Sequence, residues 1–346
     1  MPFQAGREFT VESAARRLAG GALVAFPTET VYGLGARADD DSAVAQVFQA
    51  KGRPADHPLI VHVLDEQGAR AFARELPPVA LRLMRAFWPG PVTVIVPRRA
   101  DMAQACAGGQ DSIGLRCPAH PLARALLQRA LELGVPGVAA PSANRFGRVS
   151  PTTAAHVWQE FGDAVPVLDG GPCEAGIESA IVDCTRGEPV LLRPGTVERL
   201  ALERACGHAL GEPDAAAPRA PGTLESHYAP VSKLRLMAPG DINAALVAAG
   251  VHRAAVRQGV DAGALARHRQ ALGLYSTSCP AGTEGLGLIW RAMPQTPQAV
   301  ARELFAVLRE LDAAVAQRGG GEIWVEAPPR GAQWEGVRDR LTRAAA

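Results

Sequence analysis

No stretch of this 346-residue chain approaches the ~20 consecutive apolar residues that a membrane-crossing helix needs. The opening MPFQAGREFT also lacks the apolar core of a secretory signal, so a cytoplasmic protein is expected. An excess of one charge is missing too: 36 Lys and Arg stand against 35 Asp and Glu, a formal net charge of +1. That balance argues against a general nucleic-acid coat, and the low aromatic content of 5% leaves no base-stacking cluster. The six cysteines (Cys106, Cys117, Cys173, Cys184, Cys206 and Cys279) form no CxxC pair and lie near no His cluster at ligand spacing. They read as reduced, mostly buried thiols rather than a disulfide framework or a zinc site. The P-loop GxxxxGK[ST] is absent, and the C-terminal part lacks the GxGxxG of dinucleotide sites.

What is present is two rounds of alternating helix-like and strand-like segments, which the length also suggests. TVESAARRLAGG and DSAVAQVFQAKG read as glycine-stopped helices, and PLARALLQRALEL and TTAAHVWQEF as two more. ALVAF, PLIVHVL, PVTVIVP, SIGLR, GVAA, SAIVDC and PVLLR read as strands. Residues 1–210 are therefore expected to form an α/β domain whose sheet is covered by helices. The proline-rich segment 211–232 reads as a semi-rigid linker. Residues 233–346 read as a smaller Rossmann-like α/β domain, with strands at KLRLM, RAAVR, LGLYS, LGLIW and EIWVEA. Its long helix from Pro297 carries Val300, Leu304, Val307, Leu308, Leu311 and Val315 at helical spacing.

Four polar patches interrupt the first domain at strand ends or turns, where open α/β sheets place their sites. FPTETVYGLGARA offers Thr28, Glu29, Thr30 and Tyr32 before Gly33 and Gly35, either as a hydroxyl-rich strand turn or as a site. KGRPADHPLIVHV places Lys51 and Arg53 ahead of a proline-stiffened turn, which suits an anion. His62, in the strand that follows, is either a satisfied core histidine or a ligand. SIGLRCP puts Arg116 on an apolar strand, where its charge needs either a protein carboxylate or a substrate carboxylate. APSANRFGRVSPT supplies Ala140, Ser142, Asn144 and Ser150; farther on come Ser179 and Arg193. Rigid cations and hydroxyls without a nucleophile–base pair, paired carboxylates or a protein metal cage suit positioning chemistry on a phosphate ester, with Mg arriving on the nucleotide.

Taken in order, PTETVYGLG, KGRPxxHPLIVHV, FWPGPVT, GLRCPAHP, PSANRFGRVSPT and ESAIVD…LLRPG resemble the YrdC family. With its linker and tail, the chain is similar to the long, two-domain threonylcarbamoyl-AMP synthases of that family. The resemblance implies a twisted mixed sheet in the first domain. It also implies a nucleotidyltransferase that makes threonylcarbamoyl-adenylate and pyrophosphate from L-threonine, bicarbonate and ATP, with no tightly bound organic cofactor. The product would serve N6-threonylcarbamoylation of tRNA adenosine 37 after handover to a separate transferase.

Carried over by motif, Lys51, Arg53, His57, Ser112, Ser142, Asn144, Ser150, Arg193 and Tyr228 fall on the ATP side. Thr30, His62, Arg116, Ala140 and Ser179 line the threonine pocket, and Tyr32 faces bicarbonate or carbamate. Lys51, Arg53 and Tyr32 are then the catalytic set. His57 stands where the family usually shows asparagine, and Phe146 where it often shows a small residue. The linker PGTLESHYAP departs from the family form at Thr223 and Glu225 but keeps His227 and Tyr228, implying a lid over the catalytic mouth. Two other readings are a carbamoyl-adenylate-forming enzyme and a double-stranded RNA or tRNA-binding module, direct tRNA binding being weak at this net charge. The tail reads as a docking or regulatory module.

Overall fold

The computed structural model describes residues 9–224, 226–248, 271–281, 283 and 287–346; the strand expected at RAAVR, 253–257, lies outside them. Contacts divide the chain into one unit running to Phe146 and from Ser150 to Leu224, and another of Gly147–Val149 and Glu225–Ala346. The division at 224/225 falls inside the proline-rich segment.

In the first unit, helix α1 (Val11–Ala19) begins where the Thr10 hydroxyl accepts the Ser13 N–H at 3.2 Å. Helix α2 (Asp41–Lys51) begins where Asp40 Oδ1 accepts the Ser42 and Ala43 N–H groups. It buries Val44, Val47 and Phe48 and stops at Gly52, whose φ of 63° suits a residue without Cβ. Lys51 is thereby fixed on the last helical turn.

Eight strands form one mixed sheet: β1 (Val24–Phe26), β2 (Gly33–Arg37), β3 (Ile60–His62), β4 (Val92–Pro97), β5 (Ser112–Arg116), β6 (Val138–Ala139), β7 (Ala180–Asp183) and β8 (Val190–Arg193). Their order is β1-β2-β6-β3-β5-β4-β7-β8, with β3/β5 and β4/β7 parallel and the other pairs antiparallel. The expected strands are all present, SIGLR at its full length and the others shortened. GLGAR, read from its glycines as part of a turn, is instead β2. Its glycines answer to close packing: a Cβ on Gly35 would meet Phe26 at 2.8 Å and Val138 at 2.9 Å.

The second unit holds a four-stranded all-parallel sheet of β9 (Lys233–Met237), β10 (Ala271–Ser276), β11 (Leu288–Ala292) and β12 (Gly321–Glu326), in the order β11-β10-β12-β9. Parallel strands require crossover connections, and the long helix Pro297–Gln317 supplies the one from β11 to β12, which flank β10. All six apolar positions expected on its inner face are buried. This is the Rossmann-like arrangement expected from the pattern. Among the described residues no helix is long and apolar enough to cross a membrane.

Candidate active site

The two phosphate-suited motifs meet through Lys51. Its Nζ donates to the carbonyl of Ser142 at 2.6 Å and to that of Asn144, more than ninety positions along the chain. The side chain is only 3% exposed, and burial, reinforced by the charge of Arg53, pushes its pKa well below the usual lysine range. Arg53 Nη2 donates to the Pro58 carbonyl at 2.9 Å, and its guanidinium sits 5.6 Å over the Phe146 ring. The Phe146 N–H in turn donates to the Lys51 carbonyl at 2.9 Å. His57 packs edge-on against the same Phe146 ring, 5.3 Å between centroids. Burial and then Arg53 lower its pKa, so its imidazole is neutral at pH 7. The two departures noted in the sequence are therefore in mutual contact. Asn144 is buried, with its amide donating to the Arg145 carbonyl, while Ser142 is half-buried and bridged to Gly33. Ser150 is fully buried and donates to Glu178 at 2.5 Å.

Arg116 occupies a second polar centre. Its Nη2 donates to Glu29 Oε1 at 2.6 Å, its Nη1 to Thr30 Oγ1 at 2.8 Å and its Nε to the Gly90 carbonyl at 3.3 Å. Glu29 Oε2 accepts the Ala119 N–H at 3.0 Å. Burial alone would raise the Glu29 pKa, but the Arg116 charge and hydrogen bond outweigh it and hold the carboxyl below its usual range. Glu29 thus supplies the protein carboxylate that the buried Arg116 charge requires. His62 lies beside Arg116 on the adjacent parallel strand, with its ring edge-on to Phe26. Burial, then the Arg116 charge, lowers its pKa to about 3. Ala140 is buried nearby, its N–H bonded to the Ile60 carbonyl.

Ser179 joins a third cluster. Its hydroxyl shares a 2.8 Å hydrogen bond with Thr93, and Arg193 donates to both its carbonyl and its hydroxyl. A further Arg193 bond reaches the Pro221 carbonyl at 2.9 Å. Ser112 opens β5, and extending the β3/β5 register by two residues sets it opposite Pro58, the residue that holds Arg53. It lies four residue steps along the strand from Arg116, about 13 Å. The Tyr32 hydroxyl donates to the Gly171 carbonyl at 2.8 Å and accepts the Gly170 N–H at 3.1 Å. Burial raises its pKa, so it stays a phenol committed to the 169–171 turn.

Tyr228 belongs to the second unit. It is buried with a φ of 65°, stacks on Phe305 at 5.4 Å and lies under the Arg340 guanidinium at 5.3 Å. His227 packs against it at 4.1 Å. Sequence reasoning left Glu178, Thr93 and Asp169 without roles. Only spatial pairing across distant segments reveals them, although Glu178 directly precedes the serine that was singled out.

The buried cations Lys51, Arg53, Arg116 and Arg193, a loop of small polar residues and buried hydroxyls on a mixed α/β sheet make up an enzyme-like site suited to an anionic ligand. Residues 16–195 match the Sua5, YciO and YrdC family, described as "Telomere recombination". Residues 196–346 match the "Threonylcarbamoyl-AMP synthase, C-terminal domain". The chain belongs to this family in its two-domain form. It is 42% identical over 235 residues to the threonylcarbamoyl-AMP synthase of Pyrococcus abyssi, covering 66% of this chain and 67% of that one. To the synthase of Schizosaccharomyces pombe it is 32% identical, covering 93% and 84% of the two chains. A crystal structure of P. abyssi Sua5 complexed with L-threonine matches with a TM-score of 0.80 at 33% identity, covering 98% of this chain and 95% of that one.

Proposed function

We propose that the chain condenses L-threonine, bicarbonate and ATP into L-threonylcarbamoyl-adenylate, releasing pyrophosphate. The observation that carries this reading is the convergence of Lys51 on the Ser142 and Asn144 carbonyls, which assembles one cationic site from two distant motifs. In the proposed reaction the threonine amine adds to bicarbonate with loss of water, and the resulting carbamate oxygen attacks the α-phosphorus. The bond from that phosphorus to the bridging oxygen then breaks, and pyrophosphate departs with the electron pair. No protein nucleophile is required. Catalysis comes from holding three reactants together and from neutralising charge on the leaving group.

Lys51 and Arg53 supply that neutralisation, with Ser112, Ser142, Asn144, Ser150 and Arg193 on the nucleotide side and Mg²⁺ entering as part of the ATP substrate. Three of the five Arg116 donors go to Gly90, Thr30 and Glu29; the other two suit the threonine carboxylate. Thr30, His62, Ala140 and Ser179 complete the threonine side. Tyr32, with its hydroxyl engaged, supports the 169–171 turn. His57 acts on the nucleotide side through its contact with Phe146, and Tyr228 through ATP affinity. The reaction class is nucleotidyl transfer in the cytoplasm, and the reactive product passes to a tRNA threonylcarbamoyltransferase. The test is pyrophosphate release by the purified protein: it should require both threonine and bicarbonate, and release without threonine would overturn the reading.

A further inference from the structure

The Phe146 side chain is the common surface on which two groups of the 53–57 turn rest. The Arg53 guanidinium lies over its ring at 5.6 Å, and the His57 imidazole meets it edge-on at 5.3 Å with an interplanar angle of 79°. A cation within about 6 Å of a ring centroid is attracted to the negative π-face, and the attraction grows as the pair is desolvated. Arg53 is 8% exposed and Phe146 half-buried, so this pair is largely shielded from water. The backbone of Phe146 is fixed independently, by its N–H bond to the Lys51 carbonyl at 2.9 Å. Lys51 closes the loop by donating to Ser142 and Asn144. Ring and backbone together therefore tie the position of the Arg53 charge to that of Lys51. The ring face adds to the bond with the Pro58 carbonyl in fixing the plane of the Arg53 fork.

We infer that Phe146 is a positioning residue for the anion-binding charge of Arg53, setting ATP affinity through the face of its ring. The inference rests on the ATP-dependent reading above, but it concerns binding rather than the reaction that follows. His57 meets the same ring edge-on, and burial with the Arg53 charge lowers its pKa, which disfavours a second cation beside Arg53.

The experiment is a double-mutant cycle read by calorimetric titration of MgATP into the full chain, without threonine, with thermal unfolding as the control for folding. Phe146→Ala should weaken binding about tenfold, and Phe146→Tyr, which keeps the ring face, should stay within about twofold of the parent. On an Arg53→Ala background, Phe146→Ala should add less than about a twofold loss, because the partner is already gone. Phe146→Leu keeps apolar volume without a π-face; it should weaken binding in the same direction and carries the test should the alanine variant unfold. An equal loss from Phe146→Ala on both backgrounds, or parent-like binding by the alanine or leucine variant, would overturn the inference. Pyrophosphate release without threonine would instead overturn the proposed reaction and leave this cycle standing. A parent chain that does not bind MgATP would overturn both.

Discussion

Glu29 and Arg116 are joined by a 2.6 Å charge-assisted hydrogen bond inside the first unit, with Arg116 only 4% exposed. A buried guanidinium that loses its carboxylate keeps its desolvation cost without the Coulombic return, typically about 3–5 kcal/mol. Glu29→Gln should therefore destabilise the fold by about that amount in chemical denaturation. Parent-like stability of that variant would show that the pair adds nothing. The pH sign follows from the lowered Glu29 pKa. This contribution is complete above the unfolded carboxyl value of about 4.5 and is lost as the pH falls toward the lower folded value.

Lys51 and Arg53 carry the proposed charge neutralisation. Lys51→Ala and Arg53→Ala should each lower threonine-dependent pyrophosphate release about 10²–10³-fold, as loss of a pre-placed electrostatic group does. Steady-state kinetics with saturating threonine and bicarbonate check this. A change of less than about twofold in both variants would remove the cations from the mechanism.

Much of this site was legible in the sequence because its residues are crowded into short motifs at strand ends. Lys51 ends a helix closed by Gly52, and Arg53 follows that glycine, so both could be placed from local signals alone. The strands were equally legible where apolar runs were continuous, as in β4, whose six residues are all buried. Pairings across long separations were not legible. Ser150 with Glu178, Thr93 with Ser179 and Tyr32 with the Asp169–Gly171 turn depend on sheet order, which no local pattern encodes. Strand β2 was hidden for a different reason. Its glycines mimic a turn, whereas Gly35 serves the close approach of Phe26 and Val138 and Gly33 that of Ala140.

That close approach is itself testable. A methyl group on Gly35 would have to displace ring and aliphatic carbons at 2.8 and 2.9 Å within a packed sheet. Gly35→Ala should cost about 1–3 kcal/mol by overpacking. Denaturant midpoints measure it, and an unchanged midpoint would mean that neighbouring side chains yield freely.

His62 gives the fold a second pH dependence. Its folded pKa of about 3 lies below the unfolded value of about 6.5, so between these limits the unfolded chain binds the extra proton. Stability from this source is therefore full above pH 6.5 and declines as the pH falls toward 3. Unfolding free energies at pH 7 and pH 5 should differ more for the parent than for His62→Leu. Equal differences would show that His62 does not titrate on unfolding.

The most direct test of the central claim follows atoms into the product. The purified chain, given ATP, carbon-labelled bicarbonate and carbon-labelled threonine, is quenched and its nucleotides are resolved by mass spectrometry. The account predicts an AMP adduct carrying both labels, formed in step with pyrophosphate and lost in Lys51→Ala. Pyrophosphate release with an adduct that lacks the threonine label, or with free AMP and no adduct at any time point, would contradict it.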